Sequence, residues 1–310
     1  MSDIVISEFM DKRAVAELAD RYDVLYEPEP VERPEELLAA VRAARALIVR
    51  NRTQVRGELL DAGASLRVIG RLGVGLDNID MRACDARGIK VVCATNANVM
   101  SVAEYVIVGI FLLLRRAYLS TSKVLAGEWP RTKLIGHEIS GKTLGLVGFG
   151  TIARAVAERA TALGMHVIAH DPFVEASDSI WHKLSVSPRD LKDVLTESDA
   201  VSLHVPLSAD TQHLINADGL KSMKRGAVLI NASRGGVVDE HALVEALCSG
   251  GLKGAMLDVF EDEPLPPDSH LVDVPNLILT PHIAGVTEES NERVSAMVAA
   301  NVRRILEKAQ

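Results

Sequence analysis

Short apolar, β-rich runs alternate with helical stretches along the whole chain. Asp3–Ser7 predicts a strand and Lys12–Asp20 a helix, while Ala46–Arg50, Arg67–Gly70 and Lys90–Cys93 predict three further strands. This alternation is the pattern of a parallel sheet flanked by helices. Near Val99 the texture changes. A long apolar helix is expected from about Ser101 to about Ala126, followed by a polar segment, Gly127–Ser140. A second βα series then begins, with strands expected at Thr143–Val147, His166–His170, Ala200–His204, Ala227–Asn231, Gly254–Asp258 and Leu277–Thr280. A last helix is expected from about Glu288 to Lys308.

The expected fold class is α/β, with two Rossmann-like βα domains, each on a parallel sheet, and a cleft between them. A length of 310 residues exceeds one typical domain and suits two. Residues 101–285, with six parallel strands, read as a dinucleotide-binding Rossmann domain. Residues 1–100 and 286–310 read as a flavodoxin-like substrate (catalytic) domain. The final helix is assigned there because the chain must cross back for both domains to face one cleft.

Composition narrows the function classes. Apolar residues make up 48% and charged residues 25%, as in an ordinary soluble globular protein. The net charge of −8 argues against nucleic acid as a partner. The longest apolar run, Tyr105 to Leu114, falls short of the ~20 residues needed to span a bilayer. The N-terminus has no basic segment leading into an apolar core, so no signal peptide is expected, and the cytoplasm is the expected compartment. Cys84, Cys93 and Cys248 are scattered and form no CxxC pair, so neither a disulfide framework nor a metal site is expected, and all three read as small buried hydrophobes in a reducing compartment.

The strongest local signal is Thr143-Leu-Gly-Leu-Val-Gly-Phe-Gly-Thr-Ile-Ala153. Gly148 would permit a tight strand-to-helix turn, Gly150 would let the backbone approach a pyrophosphate, and Ala153 is small enough for the helix to pack on the sheet. A helix starting near Thr151 would aim its N–H groups and dipole at the phosphates. Asp171 follows at the end of the next strand, where a carboxylate accepts ribose hydroxyls and repels a 2′-phosphate. The predicted cofactor is therefore NAD rather than NADP. The bland reading of Asp171 is a turn residue ahead of Pro172.

Three chemistry-bearing residues follow strands of the second half: Arg234, Glu263 and His282. An open α/β sheet binds ligands at the carboxyl ends of its strands. A histidine there can take a proton from an alcohol or return one to a keto group. A carboxylate would orient the imidazole, and an arginine can grip a substrate carboxylate with two parallel bonds. Taken singly, each has an ordinary explanation as an ion pair, a solvated acid or a loop histidine.

Together their surroundings resemble a family. Asn231-Ala-Ser-Arg-Gly-Gly-Val-Val-Asp239, Asp258-Val-Phe-Glu-Asp-Glu-Pro264 and Thr280-Pro-His-Ile-Ala-Gly285 resemble the D-2-hydroxyacid dehydrogenases. Arg71-Leu-Gly-Val-Gly-Leu-Asp-Asn-Ile-Asp80, Ser101-Val-Ala-Glu104, Trp129 and the glycine-rich turn extend the resemblance over essentially the whole chain. It implies that Arg234, Glu263 and His282 are the catalytic set, that Asp258 lies near the nicotinamide amide, and that the protein is a homodimer built on the nucleotide domains. The candidate cofactor-binding positions are Gly148, Gly150, Thr151, Ile152, Asp171, Val205, Ala232, Ser233, Arg234, Asp258, His282 and Gly285. The chain departs from the family pattern at Ala153, where many members have glycine, and at Thr95-Asn-Ala-Asn98.

The expected substrate is a small anionic 2-hydroxy or 2-keto acid. Its candidate binding residues are Arg50, Arg71, Gly73, Val74 and Gly75, along with Arg234 and His282. The Gly73-Val-Gly75 turn would offer N–H groups to a carboxylate. Arg50 and Arg71 match arginines near the phosphate in phosphoglycerate dehydrogenases, which points to a second anionic group on the substrate. The alternative is that both arginines pair with Asp77 or Asp80. The opening Asp3-Ile-Val-Ile-Ser-Glu-Phe-Met-Asp11 resembles sulfolactate dehydrogenases, whereas the chain lacks the extra regulatory domain of many phosphoglycerate enzymes. Sulfolactate and 3-phosphoglycerate both stay open, and D-glycerate, hydroxypyruvate or D-lactate is the alternative. Glu263 argues against a formate dehydrogenase, whose reaction needs no proton transfer. A non-catalytic NAD(H)-sensing protein is the rival from another class.

Overall fold

The structure, a computed structural model, describes residues 2–26 and 33–308. The chain divides into two units, Met1–Asn98 with Val286–Gln310, and Val99–Gly285.

The first unit carries strands β1 (Ile4–Ile6), β2 (Val24–Tyr26), β3 (Ala46–Val49), β4 (Val68–Arg71) and β5 (Lys90–Cys93), all parallel, in the order β2-β1-β3-β4-β5. That is a doubly wound order with its switch point between β1 and β3. The inner strands are buried along their whole length, as expected of strands covered by helices on both faces. The helix Glu288–Lys308 buries Val294, Val298, Val302 and Leu306 in the core that holds Ile4, Ile48 and Val68. Their spacing is that of the apolar stripe of an amphipathic helix.

The second unit carries β6 (Thr143–Val147), β7 (His166–His170), β8 (Val186–Pro188), β9 (Ala200–Leu203), β10 (Val228–Asn231), β11 (Gly254–Leu257) and β12 (Leu277–Leu279). They form one parallel sheet in the order β12-β11-β10-β9-β6-β7-β8, the Rossmann order with an added edge strand, and reverse direction of winding at β6 and β9. One face packs on the apolar side of the helix Val99–Arg115, and a stacked Phe149–Trp181 pair, with ring centroids 4.4 Å apart, fills the same core.

Three expectations need correction. The sheets have five and seven strands; β2 and β8, each three residues long, carry too little pattern to predict. The long helix ends at Arg115 and not near Ala126. Arg116 enters the left-handed region at φ 58°, and the turn at Gly136 closes on the helix end, where His137 N–H donates to Leu114 O at 2.8 Å. A Cβ at Gly136 would overlap the Arg115 carbonyl. Only short helical turns follow, at Ala117–Leu119 and Thr121–Leu125. Cys248 is exposed rather than a small core residue. No helix among the described residues is long and apolar enough to cross a membrane.

Candidate active site

The glycine turn sits at the carboxyl end of β6, beside the switch to β9. Gly148 has φ 89°, and a Cβ there would lie 2.7 Å from His204 O and 3.0 Å from Val205 Cγ1, so the position requires glycine. Ala153 is fully buried in the core. At Gly150 a Cβ would meet nothing within 4 Å, so the backbone is open to an approaching group. Gly150 caps the helix Thr151–Ala162 without any side-chain bond, which leaves the first helical N–H groups directed outward, as an anion requires. These residues fit the pyrophosphate of a dinucleotide.

Asp171 follows β7. Its carboxylate accepts Phe149 N–H at 2.7 Å and Phe173 N–H at 2.9 Å. It therefore ties the glycine turn to its own turn: the bond to Phe173 is the turn role expected ahead of Pro172, and the bond to Phe149 is the part that local sequence did not reveal. A carboxylate offers about four lone-pair sites, so two acceptor sites remain for ribose hydroxyls. His204, next to Val205 after β9, donates to or accepts from Ser202 Oγ at 3.0 Å, and burial pushes its pKa down to about 4.

The carboxyl ends of β10, β11 and β12 present the remaining groups. After β10, Asn231 Oδ1 accepts the N–H and hydroxyl of Ser233, and its Nδ2 donates to Arg234 O at 2.9 Å. The asparagine thus shapes the turn of Ala232, Ser233 and Arg234 by local side-chain bonds. Arg234 Nη1 donates to Ser233 O at 2.5 Å. A Cβ at Gly235 would overlap the Phe260 carbonyl, so this turn and the loop after β11 touch through bare backbone.

In that second loop, Glu263 Oε1 accepts Phe260 N–H at 3.1 Å and Oε2 lies 2.7 Å from His282 Nδ1. Burial alone would raise the Glu263 carboxyl. The hydrogen bond and charge of His282, the Phe260 N–H and the Arg234 charge outweigh it and hold the group below its ordinary range. His282 adopts φ 54°, uncommon for a side chain with a Cβ. Its N–H is fixed on Asp258 O and Thr280 O. Asp258, 1% exposed, accepts Ile283 N–H and the Thr280 hydroxyl on Oδ1, and Ala284 N–H on Oδ2. Gly285 ends the turn so formed.

In the first unit, β3 and β4 are neighbours, with Val49 opposite Arg71. Arg50 and Arg71 thus lie at the carboxyl end of one sheet edge. Arg50 Nη2 donates to Asn291 Oδ1 at 2.6 Å, and its head lies 5.6 Å from the Phe9 ring centroid. Its Nε is buried and has no hydrogen-bond partner. Glu8, buried, accepts the N–H groups of Arg50, Arg52 and Thr53 and so shapes the loop. Neither Glu8 nor Asn291 was singled out by the sequence, because their partners lie far away along the chain. Burial lowers the Arg50 pKa, with Glu8 opposing. A Cβ at Gly73, which has φ 150°, would overlap Arg71 Nη1, so glycine lets the guanidinium lie across the turn. The Gly73 N–H is taken by Arg71 O, which leaves the N–H groups of Val74 and Gly75 as the turn's donors.

A Rossmann sheet with this glycine turn is the architecture of a dinucleotide-binding protein. A family model described as D-isomer specific 2-hydroxyacid dehydrogenase, NAD binding domain, matches residues 107–284. An (S)-sulfolactate dehydrogenase from Chromohalobacter salexigens is 58% identical over 306 residues, covering 99% of each chain. A D-3-phosphoglycerate dehydrogenase from Methanocaldococcus jannaschii is 39% identical over 274 residues, 88% of this chain and 52% of that one. The chain spans about half the length of that relative. The crystal structure of the TT0316 protein from Thermus thermophilus superposes with a TM-score of 0.88 at 34% identity, covering 98% of this chain and 97% of that one. The chain belongs to the D-isomer specific 2-hydroxyacid dehydrogenase family, and its cofactor is NAD.

Proposed function

We propose that the protein interconverts a dianionic D-type 2-hydroxy acid and its 2-keto acid, and that the acid is sulfolactate. The carrying observation is Arg50. Its guanidinium is held by Asn291, yet a buried Nε donor remains without a partner, beside Arg71 on the adjacent strand end. A buried, charged donor is stabilised by an anion. The likeness to the sulfolactate enzyme supports sulfonate over phosphate. The S label suits a D-type enzyme, because the sulfur-bearing carbon outranks the carboxyl group at carbon 2.

Glu263 is acceptor-only when ionised, so His282 Nδ1 carries the proton of their 2.7 Å bond. Nε2 is then the nitrogen that takes the substrate hydroxyl proton in oxidation and returns it in reduction. The Glu263 carboxylate compensates the imidazolium that results. Arg234 holds the substrate carboxylate and stabilises charge on the reacting oxygen. Bound NAD supplies the hydride acceptor, cradled by Gly148, Gly150 and the helix at Thr151, with Asp171 on the ribose.

A panel of both sulfolactate enantiomers, D-3-phosphoglycerate, D-glycerate, D-malate and D-lactate, read by NADH absorbance, tests the reading. (S)-Sulfolactate should give the highest kcat/KM. Arg50→Ala should cost it about 30-fold, the loss of a charged hydrogen bond, while D-lactate is unaffected. Preference for 3-phosphoglycerate would replace sulfonate by phosphate, and equal turnover of D-lactate would sink the dianion site.

The same reading includes a homodimer in the cytoplasm, with neither nucleic acid nor membrane as a partner. The homodimer is supported by the apolar side chains exposed on the segment after Arg116: Tyr118, Leu125, Trp129 and Ile135.

A further inference from the structure

We infer that Tyr105 is a positioning residue for the proton-transfer step, acting on the His282 turn through Thr280 and Asp258. The three side chains form one hydrogen-bonded chain. Tyr105 Oη lies 2.5 Å from Thr280 Oγ1, and Thr280 Oγ1 lies 2.6 Å from Asp258 Oδ1. Direction follows from the donor inventory. An ionised Asp258 only accepts, so the single Thr280 proton points to it. The Thr280 oxygen is then an acceptor, and Tyr105 must donate. Burial keeps the Tyr105 pKa at about 12, so it remains a donor over any working pH.

What the chain holds is the strained part of the site. Asp258 gathers Thr280, Ile283 and Ala284 around His282, and its own carbonyl accepts the His282 N–H at 2.9 Å. His282 stays at φ 54° because the residues on both sides of it are bound to one buried carboxylate. Burial opposes the charge on Asp258, and the bonds from Thr280, Ala284 and Ile283 oppose that effect. Bonds linked in series polarise one another, so loss of the terminal hydroxyl weakens the next bond as well. Tyr105 sits on the helix Val99–Arg115 and directs its hydroxyl to Thr280, at the start of the His282 turn. Its effect on rate would therefore pass through the geometry of that turn.

This role presupposes His282 as the proton carrier, so His282→Ala is measured alongside. Its inactivity supports that premise, and intact turnover would sink it irrespective of Tyr105. Tyr105→Phe keeps the ring and removes one hydroxyl. We expect kcat to fall about tenfold with KM for both substrates little changed, since small displacements of a reacting group cost rate steeply. The limb of the pH profile governed by Glu263 should move to higher pH, because a loosened His282–Glu263 bond no longer holds that carboxyl down. A lowered Tm with kcat and pH profile unchanged would overturn the inference. Should Tyr105→Phe fail to fold, Thr280→Ser and Thr280→Val decide at the middle of the chain. Serine keeps the hydroxyl and should retain kcat, and valine should lose it. Equal kcat in both would overturn the inference.

Discussion

At the scale of single residues, chemistry depends on which atom of a side chain is left over once its neighbours are served. Glu263 divides its two oxygens between Phe260 N–H and His282 Nδ1. Glu263→Gln preserves shape but removes the charge that compensates an imidazolium. Its kcat should fall about 10²-fold, within the range of positioned acid–base groups. The same carboxyl is depressed in the folded protein, so its stabilising contribution is complete above its ordinary value of 4.5 and is lost as pH falls through the folded value. Thermal melts of wild type and Glu263→Gln should therefore differ by a constant amount down to about pH 4.5 and converge below it. A gap that persists in strong acid would show that the charge is not what Glu263 contributes.

At the scale of elements, strand ends and the turns after them carry the site, and bare backbone sets how closely those turns approach. Gly235 is the clearest case, since a methyl group there would strike the Phe260 carbonyl. Gly235→Ala should destabilise the protein by about 1–3 kcal/mol, as overpacking does, and separate Arg234 from Glu263. A calorimetric scan and kcat would register both, and an unchanged pair would contradict the close approach. This scale also shows where sequence pattern ran out. The alternation of apolar runs and helices is strong in the other strands, but β2 and β8 have three residues each and lack a period to read. The helix from Val99 overran in prediction because no glycine or proline marks Arg116; its stop is supplied by Gly136 and His137, well downstream. The site divides in the same way. The motifs around Arg234, Glu263 and His282 are contiguous and therefore visible. Tyr105 is joined to Thr280 across 175 positions, and Arg50 to Asn291 across 241, which no local pattern encodes.

At the scale of the whole molecule, the candidate residues fall on two parallel sheets. The glycine turn, Glu263 and His282 belong to the seven-stranded unit, and Arg50 and Arg71 to the five-stranded one. The apolar surface after Arg116 bears on assembly. Leu125 is 83% and Trp129 75% exposed, on the same segment as exposed Tyr118 and Ile135. Leu125→Asp with Trp129→Asp should convert the proposed dimer to a monomer in sedimentation experiments, and a wild type that already sediments as a monomer would refute the dimer.

Asp171 also bears on redesign of the cofactor preference. Its two oxygens brace the glycine turn and the turn of Phe173, quite apart from any ribose they meet. A cofactor swap that merely deletes the charge would unfasten two backbone segments under the pyrophosphate. Asparagine at position 171 would keep one acceptor oxygen for one of these two N–H groups and turn an NH2 donor toward the other, so conversion toward NADP needs a new acceptor for the second segment besides a cation brought in from the same turn. Under the proposed ribose contact, selectivity and architecture share a single carboxylate, so an engineer must separate them before either can be changed.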